Sequence, residues 1–390
     1  MRLLICAGGT GGGVYPALSI LQTMKDNSLF SGRSAQITSK MEILWVGSQG
    51  GVEEELVKRV NIPYRSIPAA GVHGVGLHSL PGNLARLGNG FLAARQILGS
   101  YKPDVLLFTG GYVAVPMALA ARTPIPQLRK PANMLFVPDI EPGQALKTLA
   151  HFSDCIAVTA ENSRGFFPGH RNIVLTGYPI RPGLTQWDRE RAKQVLNLDS
   201  ALPTLLVFGG SLGAHSINQA LFRSLTGLLG EMQIIHISGK LDWQDVETVQ
   251  AELQKTHPNL AIRYHAYPYL HEEMGAALTA ADLVISRAGA SSLGEFPNFG
   301  LPAILVPYPH AWRYQQVNAE YLQSHGAAIM IGDGELADRI YGLVRDLMKD
   351  DDKRNAMRQA MQKLAKPHAA VAIIEAMVNL FAQRQGLQSW

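Results

Sequence analysis

One pattern recurs along this chain: an apolar run, a turn of small residues and a helix-forming segment. The runs Arg2–Ala7 and Asp104–Thr109 lead into glycine turns in the first half, and Thr204–Phe208 and Asp282–Ser286 lead into small-residue turns in the second. Strands that alternate with helices form parallel sheets, and small residues at the strand ends let a ligand approach the N–H groups of the next helix. The pattern therefore predicts an α/β protein with Rossmann-like domains.

The restart of this pattern after residue 178 predicts two domains. A chain of 390 residues is longer than one hydrophobic core normally supports. The segment Thr176–Pro182 contains a glycine and two prolines, a composition typical of a linker. We expect an N-terminal domain over 1–178, a C-terminal domain over 179–365, and a C-terminal helix within 366–390 that packs back on the N-terminal domain.

Composition restricts the class of protein. Hydrophobic residues make up 47% of the chain and charged residues 17%, which is typical of a globular protein. No apolar run approaches the roughly 20 residues that span a bilayer, and Met1-Arg2 leads directly into an apolar run, so we expect a cytoplasmic protein. The net charge of +4 comes without a block of Lys or Arg, which argues against a nucleic-acid partner.

The cysteines and histidines predict neither a disulfide nor a metal site. Cys6 and Cys155 each lie in an apolar run, so we expect reduced, buried side chains. No His/Cys cluster has the spacing of zinc ligands. We therefore expect no metal and no cofactor.

Between Gly71 and Leu98 the chain becomes rich in glycine and leucine. Spacings of three and four residues put several apolar side chains on one helical face, which could contact a membrane interface or pack in the domain core. The residues concerned are Leu77, Leu80, Leu84, Leu87, Phe91 and Leu92, with Arg86 and Arg95 among them.

The stretch Leu283–Glu295 has the outline of a nucleotide site. Small residues from Ala288 to Ser292 would let the backbone approach a diphosphate at a helix N-terminus. Glu295 would then lie about one turn inside the helix, where a carboxylate can bind a ribose. The alternative is an ordinary strand, turn and helix with a solvated Glu.

Short motifs occur together along nearly the whole length: Gly8–Gly12, Gly110–Val113, Thr176–Arg181, Gly209–Ala214, Ser238–Lys240, Arg287–Ala290, Gly300–Pro302 and Gln315–Asn318. In combination they resemble the MurG family, whose members transfer N-acetylglucosamine from UDP-N-acetylglucosamine to a lipid-linked muramyl pentapeptide in peptidoglycan synthesis. The resemblance implies the glycosyltransferase B architecture, two Rossmann-like domains whose parallel sheets face each other across a cleft. It also implies inverting, metal-independent transfer by a peripheral protein on the inner face of the cell membrane.

The family's donor-binding residues match positions in the second half. The residue matching Glu295 binds ribose, those matching Gln315 and Gln316 bind sugar hydroxyls, and Tyr267–Leu270 matches the segment that packs on uracil. An amide offers both a donor and an acceptor to adjacent hydroxyls, although a surface helix rich in Gln is the alternative. Further donor contacts are implied for Arg181, Ser211, Gly213, Tyr269, Leu270, Ala290 and Ser292.

The acceptor and its diphosphate are implied to contact the glycine turns of the first half, at Thr10, Gly11, Gly12, Gly13, Gly110, Gly111 and Tyr112. Two departures from the family fall here. The family's first glycine loop ends in a histidine where this chain has Gly13, and its His-Glu-Gln-Asn motif is replaced by Phe136–Asp139. We expect Asp139, or alternatively Glu141, to act as the base, with capping of the following helix as the alternative role for both.

Three other functions fit parts of this pattern. A glycosyltransferase of the same architecture could use a different glycolipid acceptor. A nucleotide-sugar-binding protein could have lost catalysis, and a sugar-nucleotide epimerase could share the two-domain form. The motif set matches the transferase throughout, which argues against the epimerase, whereas the first two alternatives stay open.

Overall fold

The computed structural model describes residues 1–9, 11–51, 53–70, 80–210, 213–310 and 313–386. The chain forms two compact units, Met1–Arg181 together with His368–Trp390, and Pro182–Pro367. The divisions therefore fall after Arg181 and Pro367, where the sequence predicted 178 and 365.

The first unit is built on a seven-stranded parallel sheet in the order β3-β2-β1-β4-β5-β6-β7. In the centre, Leu4 pairs with Leu44 on one side and Leu106 on the other. Strands β1, β4 and β5 are buried along nearly their whole length and mostly apolar, as expected of parallel strands that helices cover on both faces. The strands are β1 (Arg2–Ala7), β2 (Glu42–Ser48), β3 (Tyr64–Ile67), β4 (Val105–Gly110), β5 (Ala132–Val137), β6 (Cys155–Val158) and β7 (Ile173–Leu175).

The helices of this unit close the core around these strands. They are α1 (Gly11–Met24), α2 (Gly32–Thr38), α3 (Glu53–Arg59), α4 (Leu80–Tyr101), α5 (Ala114–Arg122) and α6 (Gln144–Ala150). Cys6 and Cys155 are buried free thiols, as predicted. Burial raises the pKa of the Cys155 thiol to about 11 and that of Cys6 further, so both are protonated at neutral pH.

The second unit carries a six-stranded parallel sheet in the order β10-β9-β8-β11-β12-β13. Its strands are β8 (Thr204–Phe208), β9 (Gln233–Ile237), β10 (Tyr264–Tyr267), β11 (Leu283–Ser286), β12 (Ala303–Leu305) and β13 (Ala328–Met330). Its helices are α7 (Arg189–Val195), α8 (His215–Leu229), α9 (Trp243–Thr256), α10 (Pro258–Ala261), α11 (Met274–Ala280), α12 (Ser292–Phe299), α13 (Tyr314–Ser324), α14 (Leu336–Lys349) and α15 (Asp351–Leu364).

The last helix, α16 (Ala369–Arg384), belongs to the first unit. Ile373, Ile374 and Met377 are fully buried, and Arg384 forms an ion pair with Asp154 at 3.1 Å. By length and composition alone, the segment Asp351–Arg384 passes the test for a membrane span. It consists of two helices that belong to different units, and α16 has the buried face of a core helix.

The structure corrects three details of the predicted elements. The sequence predicts a strand at Ala261–His265, but Pro258 begins the short helix α10, which ends at Ala261, and the strand follows at Tyr264–Tyr267. Two edge strands, β3 and β13, were not predicted. They have three or four residues each and lack a continuous buried run.

Candidate functional site

The glycine turns that follow β1 and β4 pack directly against each other. A Cβ added to Gly111, whose φ is +88°, would lie 2.2 Å from the carbonyl oxygen of Gly8. The Thr109 hydroxyl donates a hydrogen bond of 2.6 Å to the carbonyl of Gly13. The contact between the two backbones therefore requires glycine at position 111, whether or not a ligand also approaches the turn.

This contact brings together most of the residues predicted to bind the acceptor. Gly11, Gly12 and Gly13 form the first turn of α1, and Gly110 lies across from Gly13, with an added Cβ at Gly110 3.8 Å from the Gly13 Cα. Tyr112 follows with half of its surface exposed. Thr10 lies outside the described residues.

Glu53, which sequence reasoning missed, lies beneath the first glycine turn. Its carboxylate is fully buried and accepts hydrogen bonds from the backbone N–H and hydroxyl of Ser48, at 2.7 and 2.6 Å. It also accepts from the backbone N–H of Gly9 at 3.3 Å. The sequence signal for it is weak: three neighbouring glutamates begin a helix, and nothing local distinguishes the first.

The predicted base residues follow β5. The Thr159 hydroxyl donates to the carbonyls of Val137 and Pro138, at 3.0 and 2.9 Å, and so holds the chain just before Asp139, which is partly exposed. Glu141 is more deeply buried, with its carboxylate 3.5 Å from the Lys147 ammonium on α6. The N-cap residue of α6 is Gly143, so neither carboxylate occupies the N-cap position itself.

The glycine turn after β8 is held by the turn after β9. Gly213 has a φ of +85°, and a Cβ added there would lie 2.1 Å from the carbonyl oxygen of Ser238. The N–H of Gly213 donates to the carbonyl of Gly210 at 3.0 Å. Ser211, predicted to contact the donor, lies outside the described residues.

A buried polar network supports that second turn. Asn218 donates to the Ser238 carbonyl at 3.0 Å and to the Asp242 carboxylate at 2.7 Å, so its amide oxygen must accept from His236 Nε2, at 2.9 Å. His236 Nδ1 then accepts from the hydroxyl of Tyr264, at 2.7 Å. Burial lowers the pKa of His236 to about 3, which keeps the ring neutral.

The predicted phosphate and ribose residues meet at the start of α12. The Ser292 hydroxyl donates to the carbonyl of Gly289 at 2.6 Å, and Glu295 lies in the first helical turn with its side chain partly exposed. Ala290 is buried. Asn318 on α13 donates to the Ala288 carbonyl at 3.1 Å. This hydrogen bond connects α13 to the turn that precedes α12.

The neighbouring glutamines on α13 present opposite hydrogen-bonding groups, a donor in Gln315 and an acceptor in Gln316. The backbone N–H of Tyr308 can only donate, so Gln315 accepts it with its amide oxygen, at 2.9 Å, and is left with its NH₂ group. The Glu320 carboxylate accepts from the NH₂ of Gln316, at 2.8 Å, which leaves the Gln316 oxygen as the acceptor. Gln316 lines a cavity of about 630 Å³, together with Pro307, Tyr308, Pro309, Arg313, Met330, Ile331, Gly332 and Asp333.

Arg287 holds the loop that orients Gln315, a role that the sequence did not predict. Its guanidinium donates to the carbonyls of Val306 and Pro307, at 3.1 and 3.4 Å, and forms an ion pair with Asp333. It also lies 5.2 Å from the centre of the Tyr308 ring. The only local signal is a charged residue directly after the buried strand β11.

The remaining predicted donor residues lie on separate segments of the chain. Tyr269 is partly exposed and contacts the ring of His271, with centroids 4.6 Å apart, whereas the Leu270 side chain is buried. Arg181 is the last residue of the first unit, although the predicted boundary placed it in the second.

Comparison with known proteins decides the family. Residues 3–131 match the model of the glycosyltransferase family 28 N-terminal domain, and residues 204–373 match that of the family 28 C-terminal domain. Two proteins named UDP-N-acetylglucosamine--N-acetylmuramyl-(pentapeptide) pyrophosphoryl-undecaprenol N-acetylglucosamine transferase, from Roseiflexus sp. (strain RS-1) and Desulforamulus reducens, are each 35% identical to this chain. The matches cover 99% of this chain in both cases, and 96% and 100% of the relatives. The chain is a family 28 glycosyltransferase of the MurG type.

The fold of this glycosyltransferase agrees with a solved relative. The crystal structure of Acinetobacter baumannii MurG aligns with a TM-score of 0.72 at 24% identity, covering 96% of this chain and 98% of that one. Together with the two parallel sheets, this confirms the predicted α/β fold and the glycosyltransferase B architecture.

The amphipathic segment of the glycosyltransferase presents leucines to solvent. Leu84 and Leu92 on α4 are 55% and 59% exposed, whereas Ala94 and Leu98 further along the helix are fully buried. Core packing is therefore the wrong interpretation for Leu84 and Leu92. Leu77 lies outside the described residues.

Among the described residues, one group has the geometry of a cation site. Ligand atoms of His215, Asp242 and Asp245 lie within 4.8 Å of one another at the starts of α8 and α9. The His215 ring nitrogen is 3.0 Å from the Asp242 carboxylate, so a His–Asp pair accounts for the arrangement. Independence from metal ions stays a prediction.

Proposed function

We propose that this glycosyltransferase moves N-acetylglucosamine from UDP-N-acetylglucosamine to a polyprenyl-diphosphate-linked muramyl pentapeptide in peptidoglycan synthesis. The observation that carries the proposal is the full-length match to relatives whose names state both substrates. The match covers both glycine-turn regions and both units, so it is not confined to a shared nucleotide-binding domain.

The second unit supports the role of donor binding. The N-termini of α8 and α12 follow small-residue turns, where helix dipoles and N–H groups favour a diphosphate. Glu295, in the first turn of α12 with its side chain partly exposed, would bind the ribose hydroxyls. Gln315 would donate to one sugar oxygen and Gln316 would accept from a neighbouring hydroxyl, a complementary pair that suits a vicinal diol.

The transfer itself needs a base in the first unit. An oxygen of the acceptor attacks C1 of N-acetylglucosamine as the bond from C1 to the diphosphate oxygen breaks, and UDP leaves with the electron pair. Attack from the opposite face inverts the anomeric centre. The hydroxyl proton passes to a carboxylate, for which Asp139 is the first choice because it ends the segment that replaces His-Glu-Gln-Asn and is partly exposed, whereas Glu141 is buried.

Helix α4 supports the proposed binding to the membrane. Exposed Leu84 and Leu92, with Arg86 beside them, provide both apolar area and positive charge, and firm peripheral binding requires two such signals. We assign the protein to the cytoplasmic face of the cell membrane, where a polyprenyl-linked acceptor is available. No nucleic acid takes part.

A second candidate is transfer to a different glycolipid. It is favoured by the two departures, Gly13 in place of histidine and Phe136–Asp139 in place of His-Glu-Gln-Asn, which both fall where the acceptor is expected. A protein that binds the donor without turnover is the further alternative.

Release of UDP from UDP-N-acetylglucosamine distinguishes these functions. We expect release only when lipid-linked muramyl pentapeptide is present. Release with other glycolipids but not with this acceptor would support the second candidate. Tight UDP-N-acetylglucosamine binding, measured by calorimetry, without release under any acceptor would leave the binding protein as the explanation.

A further inference from the structure

The buried carboxylate of Glu53 has no role in the chemistry described so far. It is the first residue of α3 and is fully buried, and in the described part of the chain no Lys or Arg forms an ion pair with it. Burying a carboxylate without a cation is costly unless hydrogen-bond donors replace the lost water. Here the donors are the N–H and hydroxyl of Ser48 and the N–H of Gly9.

Three glycines make room for this carboxylate. A Cβ added to Gly8 or Gly51 would lie 2.3 Å from a Glu53 carboxylate oxygen, and one added to Gly47 would lie 2.9 Å away. None of the three has the left-handed φ that would itself require glycine. At Gly8 and Gly51 the carboxylate is the nearest obstacle, whereas at Gly47 the hydroxyl of Tyr64 is nearer still, at 2.3 Å.

The first glycine turn is consequently held from two sides. Glu53 binds the N–H of Gly9, and Gly111 abuts the carbonyl of Gly8 from the turn after β4. The contacts act on Gly9 and Gly8, which lie a short way before the first turn of α1. The position of Gly13, where the family has histidine, depends on this path of the chain.

We propose that Glu53 is a positioning residue for the acceptor, one that holds the first glycine turn in its binding conformation without touching the substrate. This inference rests on the proposed function, in which the acceptor contacts that turn. A charged carboxylate holds the turn more strongly than a neutral side chain would. Its two oxygens offer about four lone-pair directions, enough to accept all three hydrogen bonds.

Glu53→Gln keeps the size of the side chain and replaces one acceptor oxygen by an NH₂ group, which cannot accept from Ser48 or Gly9. We expect the acceptor KM to rise about 10- to 100-fold, the loss of one or two charge-assisted bonds. The Kd for UDP should stay within about twofold, because all the proposed donor residues except Arg181 lie in the second unit. Hydrogen exchange at Gly9, followed in peptides from residues 4–14, should become faster.

Glu55→Gln is the matched control, since Glu55 lies on the same helix with its side chain 76% exposed. It should change neither the acceptor KM nor the exchange at Gly9. A Glu53→Gln protein with a lower Tm but an unchanged acceptor KM would overturn the proposal and leave Glu53 a residue of stability alone.

Ser48→Ala covers the case in which Glu53→Gln does not fold. It keeps the carboxylate and removes one hydroxyl donor, and we expect the acceptor KM to rise about fivefold. An unchanged acceptor KM in Ser48→Ala would count against the proposal. If the unaltered protein does not use the muramyl acceptor, the proposed function fails separately, and exchange at Gly9 in the variants still decides whether Glu53 holds the turn.

Discussion

Two of the side chains proposed to bind the donor, Gln315 and Gln316, are oriented by hydrogen-bond partners. Tyr308 N–H orients Gln315, Glu320 orients Gln316, and Arg287 holds the loop that carries Tyr308. Glu295 lies in the first turn of α12 with its side chain partly exposed. Its proposed ligand is the ribose of the donor, so its removal tests the nucleotide site.

Glu295→Ala should weaken UDP binding by about 1–3 kcal/mol, the cost of losing hydrogen bonds from ribose hydroxyls to a carboxylate. Calorimetric titration with UDP measures it. Glu252→Ala, an exposed glutamate on α9, is the control and should leave the affinity unchanged. Equal UDP affinity in Glu295→Ala and the unaltered protein would remove Glu295 from the site.

Asp139→Asn should lower turnover about 10²–10⁴-fold with little change in donor affinity, because the amide cannot take the acceptor proton. Steady-state rates with both substrates test this, and Asp26→Asn, on an exposed loop of the same unit, is the control. Full activity in Asp139→Asn would discard the assignment. A loss confined to Glu141→Gln would move the role of base to Glu141.

The His236 network predicts a pH dependence of stability. The folded-state pKa of about 3 lies below the ordinary 6.5, so between these values the unfolded chain binds a proton that the folded one does not. The neutral ring's contribution to the free energy of unfolding is complete above pH 6.5. As pH falls from 6.5 toward 3, this free energy decreases by about 1.4 kcal/mol per pH unit. Denaturant unfolding at pH 7 and 5 should show a smaller pH effect in His236→Gln than in the unaltered protein.

The exposed residue His257 provides the control for this effect. His257→Gln should keep the full difference in unfolding free energy between pH 7 and pH 5. The same difference in His236→Gln as in the unaltered protein would show that another group causes the pH dependence.

At the scale of elements, sequence patterns predicted what lies inside a sheet better than what lies at its edge. The central strands β1, β4 and β8 are continuous apolar runs, so their positions follow from hydrophobicity alone. Edge strand β3 has two exposed residues of four and resembles a loop. Residues of the candidate site could be predicted only where a local motif marks them. Glu53 and His236 act through partners that the fold brings together, which no local pattern reveals.

Helix α4 has one buried and one exposed face. Ala94 and Leu98 pack in the core, whereas Leu84 and Leu92 face solvent. Replacing Leu84 and Leu92 together by Ser should release the protein from anionic vesicles in a sedimentation assay, since each removes apolar area available to the interface. UDP affinity and Tm should be retained.

Leu241→Ser is the control for this double variant, because Leu241 is 79% exposed in the second unit. It should leave vesicle binding unchanged. Undiminished vesicle binding by the double Leu84 and Leu92 variant would assign the exposed face of α4 to something other than the membrane.

At the scale of the whole molecule, the two units divide the chemistry of the proposed reaction. The second unit supplies two helix N-termini after small-residue turns, and the first supplies the paired glycine turns and the carboxylates after β5. Nearly all predicted donor residues fall in one unit and all predicted acceptor residues in the other. Arg181 is the exception, as the last residue of the first unit.

The last prediction is that neither donor binding nor transfer requires a divalent cation. The helix N-termini of α8 and α12 provide partial positive charge and N–H donors for the leaving diphosphate, a role that magnesium or manganese has in other transferases. Protein treated with EDTA should therefore bind UDP-N-acetylglucosamine and transfer the sugar at unchanged rates. His215→Ala sharpens the test, because His215 belongs to the one described group with the geometry of a cation site. That variant should behave like the unaltered protein with and without EDTA. Loss of transfer on chelation, restored by magnesium or manganese in the unaltered protein but not in His215→Ala, would contradict the prediction and locate a required cation at His215, Asp242 and Asp245.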